Sequence, residues 1–127
     1  MTTYKIVDLT GVMLDAAIAK AEGLDYRIEC WMTMPPKPAG VVLMRDGKPD
    51  FSREFRPHED WRICGALIER EAINLHVIVS GWAARSNINI ANPTAVLGPE
   101  MTGPTALIAA MRAYLASKFG DTVDLPR

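Results

Sequence analysis

Residues Thr102 to Gly120, TGPTALIAAMRAYLASKFG, constrain the fold most, because a helix start, a sustained period and a helix stop coincide there. Thr102 suits the N-cap, Pro104 the first turn and Gly120 the position just past the last turn. Leu107, Ile108, Met111, Leu115 and Phe119 recur at helical spacing, which predicts one apolar stripe with Arg112, Ser117 and Lys118 off it. A long C-terminal helix of this kind needs a sheet or other helices to bury it.

The rest of the chain supplies them. TGVMLDAAIAKAEG at 10–23 predicts a first helix between Thr10 and Gly23, with Leu14, Ala17, Ile18 and Ala21 inward and Asp15, Lys20 and Glu22 on the wetter side. LDYRIECWMTM at 24–34 alternates like a half-buried strand, ended by Pro35, Pro36 and Pro38. Val41–Arg45 predicts a short strand, Asp46-Gly47 a two-residue turn, and Pro49 confines any returning strand to an edge. The polar stretch 48–60 reads as a loop, and DWRICGALIERE at 60–71 as a helix capped by Asp60. INLHVIVS at 73–80 is β-branched and turns through Ser80-Gly81 into Trp82–Ser86, a hairpin. A short strand at Ile88–Ile90 and a brief extended tail through Val123 and Leu125 complete the reading. The expected fold is α+β: one domain over 1–127, an antiparallel sheet with about three helices packed on it.

Charge narrows the partners. A formal net charge of −1 gives no overall field to draw the chain onto nucleic acid or an anionic membrane. The strands followed by a closing helix resemble double-stranded-RNA-binding domains, but TGPT stands where those carry a lysine cluster. No apolar run approaches the roughly 18 residues of a membrane span, and the N-terminus lacks the pattern of a signal peptide, so a cytoplasmic protein is expected. Cys30 and Cys64, outside any CxxC or Cys/His cluster, are expected to be free thiols.

Two stretches could carry a ligand. The turn Gly103-Pro104-Thr105 opens a helix, whose free amides and partial positive charge suit a phosphate or carboxylate, although every helix needs such a start. Arg53, Arg56, His58, Trp61 and Arg62 interleave cations with aromatic rings, a mix suited to gripping phosphate and stacking on a base, and equally to a solvated loop. Trp82 with Arg85 repeats the theme. Catalytic patterns are missing: Glu69 and Glu71 diverge on a helix, His58 and His76 lack metal-ligand spacing, and no nucleophile elbow or nucleotide-binding glycine motif occurs. No catalytic residue, metal or cofactor is therefore assigned, and a non-enzymatic role is expected.

The chain resembles the phage NinX-type proteins, a family of tailed phages and prophages. The resemblance rests on LTGVMLDAAIAKAEG at 9–23, DWRICGALIERE at 60–71, the Trp82-Ala83-Ala84 hairpin, and most specifically GPTALIAAMRAYLASKFGDTVDLP at 103–126. It implies a phage accessory role in the bacterial host without naming an activity. Small phage accessory proteins commonly bind, and the expectation is an anti-defence protein that sequesters a nucleotide-derived anion. Trp61 would stack on the base, Arg56, Arg62, Arg85 or Arg112 neutralise phosphate, and Gly103 and Thr105 supply hydrogen bonds. A homo-oligomer is expected with it, since such sites often lie between subunits. The alternatives are a protein-binding inhibitor or replication accessory factor with no small-molecule site, and a small nucleotide-acting enzyme.

Overall fold

The computed structural model describes residues 2–31, 37–91, 94 and 97–126, including all of their side chains except those of 30, 31, 37–39 and 51–54. In chain order the elements are β1 (Thr2–Lys5), a single 3-10 turn (Ile6–Asp8), α1 (Gly11–Ala21), β2 (Tyr26–Trp31), β3 (Lys37–Arg45) and β4 (Lys48–Glu54). There follow α2 (Trp61–Arg70), β5 (Ile73–Ile78), β6 (Gly81–Ser86), β7 (Met101–Gly103), α3 (Ala106–Phe119) and β8 (Thr122–Leu125). The α+β class and the long C-terminal helix are as expected. The strands form three antiparallel sheets, β1-β8, β2-β3-β4 and β5-β6-β7, where one sheet was expected.

The organising element is α3, and it is buried all round rather than along one stripe. Leu107 and every residue from Ala109 to Ser117 are buried, Arg112 and Ser117 included. It packs on β6, β7 and β5 on one side and on α1 and α2 on others. A helix in that position has no wet face, so its alanines serve close approach. Gly103 of β7 shows how close: a Cβ there would stand 2.8 Å from the Ala109 nitrogen and 2.9 Å from Ile108 Cγ2.

Several local expectations change. Thr102 lies in β7, and the cap of α3 is Thr105, whose hydroxyl accepts from the Ile108 amide at 3.2 Å. Pro104 therefore precedes the cap instead of occupying the first turn. Gly120, at φ +84°, ends the helix as its conformational freedom allows. Thr10 occupies the N-cap of α1 without a side-chain capping bond, and Asp15, assigned to the wet side, is 1% exposed. The reading of 48–60 as a loop is overturned by β4, and Pro49 is tolerated because β4 is an edge strand. Asp46 and Gly47, at φ +53° and +77°, make the turn before it with the mirror-image twist that two-residue hairpins favour. Pro38 sits within β3, opposite Cys30 at a register shift. No strand forms at 88–90, whereas β1 was unforeseen and pairs with the expected tail strand β8, Tyr4 opposite Val123. Pro35 and Pro36 lie outside the described residues.

In the third sheet Ile73, Leu75 and Val77 of β5 face the helices with Ala84 and Trp82 of β6, while Asn74 and His76 face solvent. The helices cover only the first part of β5: Ile73 is buried, Leu75 half-buried, and Val77 is 68% exposed.

Candidate functional site

The segment between β4 and α2 is short and held from behind. Phe55 and Pro57 are buried, and the amides of Glu59 and Asp60 both donate to the Arg56 carbonyl at 2.9 Å, closing a turn. His58 is pinned to α1: its amide donates to Asp15 Oδ1 at 3.0 Å and its Nδ1 lies 2.6 Å from Asp15 Oδ2. His58 Nε2 stands 2.9 Å from Glu59 Oε1. Burial pushes the Asp15 carboxyl up to about 6, against the hydrogen bonds and charge of His58, which pull it down. Asp60 then caps α2, accepting from the Arg62 amide at 2.9 Å, and the bonds from Arg62 hold its carboxyl below the usual carboxylate range.

That anchoring leaves Trp61, the first residue of α2, 58% exposed. The Arg62 side chain beside it is 92% exposed, with Asp60 3.4 Å away, and Arg56 lies 3.8 Å from Glu59. Arg56 thus opens the turn and Trp61 and Arg62 follow it as the first residues of α2, each arginine next to a carboxylate. The side chain of Arg53 is outside those described.

The other expected ligand residues sit around β7 and the start of α3. Arg85, on the solvent side of β6, lies 3.9 Å from Glu100, and its Nε is buried without a hydrogen-bond partner among the described residues. Arg112 is buried, its Nε donating to the Leu9 carbonyl at 3.0 Å and its Nη1 to the Thr102 carbonyl at 2.7 Å. Its guanidinium ties the chain before α1 to β7. Gly103 meets α3 itself, and the Thr105 hydroxyl is engaged in the cap.

Two polar clusters had no signal in the sequence. One is the Asp15–His58 pair, whose members are 43 residues apart. The other joins all three helices: Arg70 grips Glu22 through two bonds of 2.9 and 2.7 Å and Glu71 through one of 2.9 Å, while the Tyr114 hydroxyl donates to Glu22. The Arg70 and Lys118 charges lie 5.8 and 5.6 Å from the Tyr114 ring centre. Arg70 lowers the Glu22 carboxyl, and burial with the Glu22 bond raises the Tyr114 phenol. These bonds tie the helices together, while the buried Glu71 Oε1 is left without a hydrogen-bond partner among the described residues.

Among the described residues no three His, Cys, Asp or Glu side chains gather as a metal site. Cys64 is a free, buried thiol, pushed up to about 12 by burial, which suits a core residue better than a nucleophile. Cys30 lies outside the described side chains. An open hollow of about 340 Å³ beside the end of α3 is lined by Asn89, Leu97, Gly98, Ala116 and Asp121 among others, and by none of the expected ligand residues. Among the described residues no helix is long and apolar enough to cross a membrane.

An α+β domain built on a buried helix, with an exposed tryptophan on a braced turn, defines a small scaffold that presents a surface. The chain belongs to the family described as bacteriophage P22 NinX, whose model matches residues 5–118, and this makes it a phage accessory protein. No curated protein matches the chain.

Proposed function

We propose that this accessory protein acts by binding, without chemistry of its own, and that it engages a host protein through the face centred on Trp61. The observation that carries the reading is the 58% exposed indole at the first residue of α2, on a turn fixed from behind by the Asp15–His58 pair. Tryptophan and arginine are the residue types most enriched where binding energy concentrates, and a braced backbone loses little entropy on docking. Along the chain beside the indole, Arg56 and Arg62 bracket Glu59 and Asp60, each arginine next to one of the carboxylates. A rim of both signs suits the polar edge of a protein interface better than a polyanion.

The second reading, sequestration of a nucleotide-derived signal in host defence, is favoured by Arg62, whose side chain is 92% exposed beside the indole. There Trp61 would stack on a base while Arg56 and Arg62 met phosphate, because Arg112 is engaged by carbonyls and Gly103 by α3. Immobilised wild type and Trp61→Ala, challenged with host lysate and with a panel of cyclic nucleotides, separate the two. A protein retained by the wild type and weakened by about 2 kcal/mol, roughly thirtyfold, in Trp61→Ala supports the first reading. Nucleotide binding lost in Trp61→Ala and Arg62→Ala supports the second. Equal retention of every partner by wild type and Trp61→Ala would overturn both.

A further inference from the structure

β5 is an edge strand, and it carries none of the devices that keep edges from pairing. Among the described residues its only strand neighbour is β6. The run 73–79, INLHVIV, contains no Lys, Arg, Asp, Glu or Pro, while Val77 is 68% exposed and Val79 fully so. Soluble proteins usually guard such a strand with charge, proline or a bulge. β4, the edge of its own sheet, has Lys48, Pro49, Asp50, Arg53 and Glu54.

The helix next to this edge points to the occupant. α2 packs on β5 and α3, and opposite its buried Cys64 and Leu67 it turns Arg62, Ala66 and Glu69 to solvent. Arg62 and Glu69 are seven residues apart, two helical turns, with small Gly65 and Ala66 between them. A twofold axis through such a face sets Arg62 against Glu69 of the partner subunit and Glu69 against Arg62 of the partner subunit, with only small residues where the helices cross.

We infer that β5 pairs with β5 of a second copy of this chain, antiparallel across a twofold axis at His76, joining two three-stranded sheets into one of six strands and bringing the two α2 helices side by side. This register uses β5 to its end: Asn74 lies opposite Ile78 of the partner subunit and Leu75 opposite Val77 of the partner subunit. Paired residues in an antiparallel ladder share a face, so each exposed Val77 meets a Leu75 already half-buried against the helices, and the apolar layer continues across the seam. The ladder opposes no Lys, Arg, Asp or Glu, and the two His76 rings face each other at the axis. A twofold axis normal to the sheet keeps α2 and α3 of both copies on one side and makes the α2 helices antiparallel, as the Arg62 and Glu69 placement requires. The seam shares Arg62 with the face proposed around Trp61, whereas Val77 lies outside that face, so Val77→Lys tests the pairing separately.

Light scattering on the full chain, with charge-swap variants, tests it. The wild type is expected at twice the chain mass of 14.0 kDa at roughly 100 µM, a concentration that saturates a micromolar interface. Val77→Lys, at an exposed position, is expected to keep the circular dichroism of the wild type and to fall to the mass of a single chain. Arg62→Glu and Glu69→Arg are each expected to raise the dimer dissociation constant about tenfold, and the double variant to restore it. A wild type that stays a single chain, or a dimer unchanged by Val77→Lys, overturns the inference.

Discussion

The Asp15 carboxylate joins two segments 43 residues apart, accepting from the His58 amide and bonding the ring of the same histidine. The pair fixes the turn that presents Trp61 and places an acid in the core of α1. Its pKa, pushed up to about 6 from an ordinary 3.8, makes the contribution to folding depend on pH. Between about pH 4 and 6 the folded chain holds a proton on Asp15 that the unfolded chain releases. This stabilisation is therefore complete below pH 4 and lost as pH rises through 6, with a total of roughly 3 kcal/mol. Urea unfolding of wild type and Asp15→Asn should show the difference in stability moving toward the wild type by about that amount on going from pH 7.5 to 4. A difference that is flat in pH would mean the carboxyl titrates normally.

Gly103 and Gly65 should respond oppositely to the same added methyl group. At Gly103 a Cβ would press on the backbone of α3, and Gly103→Ala is expected to cost about 1–3 kcal/mol. At Gly65, inside α2, a Cβ meets nothing within 4 Å, and Gly65→Ala should gain up to about 1 kcal/mol from helix propensity. Thermal melts of the two variants check both signs.

Arg112 separates a structural role from a ligand role. Removing it strands two carbonyls that it now satisfies, so Arg112→Met should lose about 3 kcal/mol of stability in chemical denaturation. Arg62→Ala, at a side chain 92% exposed, should leave stability within about 0.5 kcal/mol of wild type.

The start of α3 is checked by two threonines. Thr105→Ala removes the hydroxyl that accepts from the Ile108 amide and should cost about 1 kcal/mol. Thr102→Ala, exposed in β7, should cost less than half of that. Equal losses at the two positions would place the helix start at Thr102 after all.

The three helices and the β5–β6 hairpin were legible because their causes are local, whereas β1 and β4 were not. The Asp46-Gly47 turn, the Asp60 cap and the Gly120 stop act through neighbours within a few residues, and all three hold in the structure. Only the tertiary structure decided which side of α1 is wet, because Asp15 is buried by a histidine from another segment. The same holds for Arg112, whose partners come from the chain before α1 and from β7, and for Glu22, Arg70 and Tyr114, which meet across three helices. Sequence periodicity records the environment of a helix with one wet face. When a helix is surrounded, as α3 is, the burial of a charge is set by whether distant carbonyls reach it, and that information exists only after the chain has closed.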